Sequence, residues 1–461
     1  MDVVAIADSA VSRARSLGAT DAEAYVIRYA TRGVYVDDDR PKVAEDKEEG
    51  GLGLRVVVGK RLANGATTVA AEGDVEDAVR RALAVAKATP QDPTFRALPE
   101  QAPVRGSVEG VYDPKLANVS TEDLLDPVLA AVHAANETKG HVVSKAVVRA
   151  QEYEYRVRNS RGVDAGHRGT LLFAAYYSTM AKGKEKGEGI AKAYATRFAA
   201  VDFEALGHEL ASKAQSTIAA KPFKGTFGGP VIVQAAELGE LLMNSVSFAL
   251  SGEQVSRKRS PWAGKVGEPV CGKNVTIADR PRLRGGILSA AVDEEGVPTE
   301  DRALVDDGVL LGYANDTYNA NRLVQSAGCA LRRGAATVEA AYAQPVTASV
   351  SNLTIAPGSG ALDDLVRDFD EALVIERFAS PSANPVSGAF GLEVRNATFV
   401  RSGERAGSVK FALLTGNIYE GLQHVLAIGG DVSPSTELAA TTGMAYVPSV
   451  AFDGFQLVGM K

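Results

Sequence analysis

The sequence predicts an α+β fold, an N-terminal helix and antiparallel-sheet unit followed by a C-terminal domain rich in antiparallel strands. Three observations predict it. Apolar residues recur at helical spacing only in short blocks, period-two alternation fills much of the chain between them, and two-residue tips of the Asp-Gly and Ser-Gly kind join neighbouring strands. At 461 residues the chain exceeds one ordinary core. It reads as three units: 1–90 as an α+β unit, 91–221 as a β-meander with flanking helices and a bridging helix, and 222–461 as a mostly-β domain.

Val3, Ala7, Ala10, Val11, Ala14 and Leu17 form the first helical stripe, closed by Gly18. Tyr25, Ile27 and Tyr29 alternate along a first strand, and Leu52, Leu54, Val56 and Val58 along a second that ends at Gly59-Lys60. Asp74 is placed to cap a helix with the stripe Val75, Ala78, Val79, Ala82, Leu83 and Ala86, which Pro90 ends. Residues 90–114 carry five prolines and little periodicity, so an irregular connection and a unit boundary fall there.

Ser120 opens another helix through Leu124, Val128 and Val132, and Tyr153, Tyr155 and Val157 alternate up to an Asn159-Ser160-Arg161-Gly162 turn. The mixed charge run Lys182 to Gly189 is expected to be a solvated hairpin loop. Phe203, Leu206, Leu210 and Ala214 mark the bridging helix. Beyond it come the strand Val231-Ile232-Val233 and a helix from Ala236 to Leu250. Hairpin tips at Asp307-Gly308 and Ser402-Gly403 follow, with short helical patterns at Leu362 to Phe369 and Ile418 to Leu426.

Acidic residues number 57 and basic ones 50, a formal charge of −7 without any Lys/Arg-rich run, which argues against nucleic-acid or anionic-membrane partners. The two cysteines, Cys271 and Cys329, make neither a CxxC pair nor a disulfide framework and suit a reducing compartment. Neither a cationic n-region nor a long apolar stretch opens the chain, so a cytoplasmic protein is expected.

Chemistry-bearing motifs are few. Gly267 to Asn274 matches GxxxxGK but puts Asn where Ser or Thr must hold magnesium, and Val275-Thr276-Ile277 leads to Pro281, not to a helix that could face phosphates. His133, His141, His167, His208 and His424 show no HExxH or HxH spacing, and His208-Glu209 is followed at the ligand positions by Ser212 and Lys213. No GxSxG elbow marks a nucleophilic serine. The helix from Ala236 to Leu250 is greasy nearly all round, with Leu238, Leu241, Leu242, Val246 and Leu250 on one face, Met243 on another, and Phe248 extending the buried stripe.

Six short stretches are more telling in order than singly: Gly50 to Val56, Asn159 to Gly162, Glu295 to Thr299, Asp306 to Leu310, Asn384 to Gly388 and Leu414 to Asn417. In these the chain resembles the TldD/PmbA family over nearly its whole length. The resemblance implies that TldD-type members are metallopeptidase subunits carrying HExxxH on a helix early in the C-terminal domain, and that the TldE/PmbA type pairs with them without that motif. Aligned through Leu250-Ser251-Gly252, the motif's first His falls on Met243, its Glu on Asn244 and its second His on Phe248. Neither a phenyl ring nor a thioether replaces imidazole on zinc, and an amide takes up no proton near neutral pH. A third ligand in TldD-type chains resembles a Cys near the C-terminus, and Thr441-Thr442-Gly443-Met444 has none.

The expectation is therefore a catalytically silent TldE/PmbA-type subunit, with no metal or cofactor of its own. A TldD-like partner subunit supplies zinc and the general base, and unfolded peptide is the substrate. The alternative is a homodimeric peptide-binding or scaffolding protein without proteolytic activity. Positions 243 and 248 differ by roughly 140° around a regular helix, so a working HExxxH site needs a distorted one, and the loss of its ligands here permits a regular buried helix.

Overall fold

The structure, a computed structural model, describes residues 1–69, 72–332, 338–436 and 443–459. Its first half is built on one six-stranded antiparallel sheet. The strands are β1 (Asp21–Asp37), β2 (Arg40–Val58), β3 (Arg61–Thr68), β4 (His141–Asn159), β5 (Asp164–Lys182) and β6 (Glu185–Ala195), in the order β3-β2-β1-β4-β5-β6. The N-terminal unit and the central meander meet where β1 pairs with β4, Glu23 opposite Asn159 and Tyr29 opposite Tyr153.

Alternation decides what each face of this sheet covers. Ala22, Ala24, Val26, Leu52, Leu54 and Val56 turn toward α1 (Val3–Ser16) and α2 (Glu72–Ala88). Farther along the same face, α3 (Pro114–Ala117), α4 (Thr121–Asn136) and α5 (Phe203–Ala219) cover Val34, Val36, Val148, Leu172 and Tyr176. Asp2 caps α1 and Asp202 caps α5, while Ser120 and Asp123 form a capping box on α4. α2 begins at Glu72, so Asp74 sits within its first turn and is not its cap.

Two expectations are corrected here. The charge run from Lys182 is strand nearly throughout: the tip is only Gly183-Lys184, because Gly187 and Gly189 press their bare Cα atoms against α5, where a Cβ would meet the carbonyls of Ala214 and Leu210. The second helical pattern near the C-terminus stops at Gln423, and Val425–Ile428 is a strand paired with Val450–Phe452. The proline-rich connection has no regular structure between Ala88 and Pro114 but is seated, with Phe95 and Leu98 buried beside Val57.

The second half holds a ten-stranded and a six-stranded sheet among the described residues. After β7 (Lys221–Pro222), β8 (Thr226–Phe227) and β9 (Val231–Val233), helix α6 (Ala235–Leu250) packs between the sheets. β9 runs parallel to Glu371–Phe378, Asn352–Ile355 parallel to Met444–Val447, and β7 parallel to Glu404–Lys410; the other strand pairings among the described residues are antiparallel. Asp307 and Gly308, both with positive φ, make the expected hairpin tip, and Ser402-Gly403 makes another.

The helix-free face of the first sheet docks on this second half, and the glycines of Gly50 to Val56 explain how. Gly51 and Gly53 point to that face, and a Cβ on either would collide with Tyr342, on its ring at Gly51 and on its carbonyl oxygen at Gly53. Gly53→Ala is expected to cost about 1–3 kcal/mol by overpacking this seam. Gly73→Ala, whose Cβ would meet nothing within 4 Å inside α2, should gain up to about 1 kcal/mol. Urea unfolding of the two variants measures the contrast.

Candidate functional site

Two constellations gather the short stretches that the sequence singled out. The first lies in the seam between the halves. Arg55 continues the Gly51, Gly53 alternation of β2, and its Nη2 donates to Glu23 Oε2 across the strand pair at 2.6 Å and to Glu295 Oε1 of the second half at 2.6 Å. The guanidinium side chain is 11% exposed and both carboxylates are fully buried. Arg332 reaches Glu23 Oε1 at 3.4 Å and lies over the Tyr25 ring, 4.6 Å from its centroid.

Backbone amides hold the other acids of the seam. Asp293 accepts from the amides of Glu295, Val297 and Ala330 at 2.9–3.0 Å, and Glu295 Oε2 accepts from Thr317 N at 2.7 Å. Gly296, at φ +78°, leaves room that a Cβ would take from Val163, just past the Asn159 to Gly162 turn. In that turn Asn159 accepts from Arg161 N and Val163 N and donates to Pro99 O, while Ser160 Oγ donates to Asp21 at 2.9 Å. Three of the six stretches therefore converge on one docking interface.

Beside this cluster, Tyr25, Tyr155, His167, Ile287 and Cys329 line a cavity of about 70 Å³. Burial pushes the His167 imidazole down to about 4, so it is neutral at pH 7.

The second constellation surrounds α6. The helix is regular from Ala235 to Leu250, and Leu238, Leu241, Leu242, Met243, Val246, Ala249 and Leu250 are buried. Its half-open side carries Glu237, Glu240, Asn244, Ser247 and Phe248. Phe248 is thus half-buried and does not extend the buried stripe, because it follows Asn244 by four residues and shares that side. Met243, 3% exposed, points inward, and its Cε fills the space a Cβ on Gly443 would need.

Asn244 Nδ2 donates to Glu240 O at 3.2 Å, one turn back. Glu240 reaches Lys192 of β6 at 2.5 Å, and Glu237 accepts from Phe378 N at 2.8 Å. Burial pushes the Glu237 carboxyl up to about 7.

Tyr419 fastens two more of the stretches to this helix. Its hydroxyl lies 2.6 Å from Pro385 O and 3.0 Å from Ser245 O, and Asn417 Nδ2 donates to Ser387 O at 2.9 Å.

These side chains do not fit a zinc ion. A buried thioether, an amide bonded to its own helix and a half-buried phenyl ring offer none of the donors zinc takes. Among the described residues no group of three or more His, Cys, Asp and Glu is arranged to hold a metal. Thr441 and Thr442, beside the third-ligand position, lie outside the described residues. Cys271 and Cys329 are buried and unpaired. Residues 267–274 form turns that no helix follows, so that stretch is not a phosphate loop.

Sequence reasoning picked out Met243, Asn244 and Phe248 but missed Tyr419, Arg332 and Asp316. The stretches Gly50 to Val56 and Glu295 to Thr299 contain Arg55 and Glu295, but nothing in the sequence joins the two. Gly51, Gly53 and Arg55 at alternate positions, all on one strand face, were the available signal.

The chain is similar to known proteins. The chain matches the PmbA/TldA metallopeptidase domain 1 over residues 22–86, the central domain over 114–218 and the C-terminal domain over 226–459. It is 28% identical to an uncharacterised protein of Methanocaldococcus jannaschii, over 75% of this chain and 76% of that one. It is 22% identical to the metalloprotease PmbA of Escherichia coli O157:H7, over 97% and 96%. The crystal structure of TldE from Thermococcus kodakarensis superposes with a TM-score of 0.88 at 21% identity, covering 98% of this chain and all of that one, and so shares the fold.

Truncating Met243 to Ala should cost about 2–5 kcal/mol, whereas Phe248→Ala should cost roughly half the 3–5 kcal/mol of a fully buried Phe. Denaturant midpoints that reverse this order would contradict the assigned helix faces.

Proposed function

The chain belongs to the PmbA/TldA metallopeptidase family, and we propose that it is the catalytically silent, TldE/PmbA-type subunit of a heterodimer whose TldD-like partner supplies zinc and the general base. The observation that carries this reading is α6. By the resemblance, this helix corresponds to the one that carries HExxxH in TldD-type chains, which would put Met243, Asn244 and Phe248 at the ligand and base positions, and none of the three is an imidazole or a carboxylate. The substrate is an unfolded peptide held through main-chain pairing, a mode that tolerates many sequences because the backbone makes the bonds.

Such a subunit would contribute walls and shape, not reacting groups, and no proton-transfer step is assigned to it. We place the complex in the cytoplasm. Two buried, unpaired cysteines suit a reducing compartment, and among the described residues no helix is long and apolar enough to cross a membrane.

The purified chain should bind no stoichiometric zinc by elemental analysis and should leave an unfolded peptide such as reduced, alkylated casein fragments intact. Adding a TldD-like partner with intact HExxxH should produce a complex and chelator-sensitive cleavage. Cleavage by the isolated chain, or a partner equally active without it, would overturn the assignment.

A further inference from the structure

The proline-rich connection between the first two units does not lie along one half of the molecule but stitches the two halves together. On the side of the first sheet, Asn159 Nδ2 donates to Pro99 O at 2.8 Å and Asp164 N to Gln101 Oε1 at 2.9 Å. Farther on, Arg282 of the second half donates through Nη2 to the carbonyl oxygens of Arg105, Gly106 and Ser107. The run ends in three more bonds: Gly285 N donates to Glu109 O at 2.9 Å, Thr196 Oγ1 to Gly110 O at 2.7 Å, and Thr170 N to Val111 O at 3.0 Å.

These last bonds fall on both walls of the seam cavity. Leu171, next to Thr170 on β5, lines the cavity from the first sheet, and Pro281, Ile287 and Leu288, on either side of Arg282 and Gly285, line it from the second half. The connection therefore ties one wall to the other.

The tie is lightly held. Leu98 and Val111 are buried at its two ends, but no side chain from Glu100 to Gly110 is buried, so the run between them gains nothing from apolar burial. Its ion pairs with the second half, Arg105 to Glu300 and Arg284 to Glu109, stand at 3.4 Å between side chains at least 60% exposed, where such pairs add little. What remains, besides the Gly285 amide, is the Arg282 guanidinium. Its Nη2 has two hydrogens for three carbonyls, and its Nη1 is buried with no hydrogen-bond partner among the described residues.

We propose that residues 100–110 form a strap latched by Arg282, whose local release opens the seam cavity to solvent while both halves stay folded. Segments with few buried apolar contacts open at free energies well below that of global unfolding. The inference concerns this chain alone and does not depend on the enzymatic assignment.

Cys329 reports the opening, because it lines the cavity and is 3% exposed, whereas Cys271 is also buried but does not line it. The test is alkylation of the intact, native chain by iodoacetamide at fixed pH, with each cysteine followed by mass spectrometry. Arg282→Ala removes the latch, and Gly110→Ala pushes the strap off from the other side, since a Cβ there would stand 3.2 Å from Gly285 N. Either substitution should speed labelling of Cys329 by roughly ten- to a hundredfold, as expected for the loss of a hydrogen bond to a charged group, and should leave the rate at Cys271 unchanged. An unchanged rate at Cys329 in whichever variants fold, or equal acceleration of both cysteines, would overturn the strap.

Discussion

The docking of the two halves is centred on the buried ion-pair cluster around Arg55. Arg55 bridges a carboxylate of its own sheet, Glu23, and a carboxylate of the opposite half, Glu295, and it does so out of water. A buried ion pair of this kind adds little net stability, since desolvation offsets most of the Coulomb attraction. Its value is register. Without Arg55 two buried carboxylates would face each other, so the seam tolerates only the arrangement in which the cation stands between them. The glycines two and four residues before Arg55 follow from the same demand, because the second half must approach closely enough for Glu295 to reach.

Helix α6 shows the opposite economy. A metal-binding helix of the i, i+5 kind must bend its regular geometry to bring two ligands to one point. Here Met243 turns inward beneath Gly443 while Phe248 looks out beside Asn244, so the helix keeps its ordinary path and its side chains serve packing. Tyr419 then pins the Pro385 loop to the helix.

Much of this was legible in the sequence. Period-two alternation located β1, β2 and β4, the serine cap located α4, and a stretch greasy nearly all round located α6. Strand lengths were not legible, because β2 begins in the charged stretch Arg40 to Glu49, where the one large apolar side chain, Val43, is exposed and no alternation marks a face. The charge run after Lys182 misled for the same reason: main-chain pairing with β5, not side-chain character, makes it a strand. Phe248 fits the apolar pattern of α6 by spacing, but it lies on the half-open side with Asn244 and Ser247, which spacing alone does not reveal. The Arg55 cluster was invisible since its members lie hundreds of positions apart, Glu23 to Arg332 among them.

The order of strands in the first sheet has a bearing on how the chain is made. β1 is central, flanked by β2 on one side and β4 on the other, and Asp37 pairs with Lys145. A nascent chain emerging from the ribosome therefore exposes one long unpaired edge of β1 until β4 has followed it out. Such an edge is a template for association with other chains, and the non-local closure is slow to form. Synthesis rate and chaperone access during that interval would govern yield, and a truncation ending near residue 90 would keep its edge open permanently.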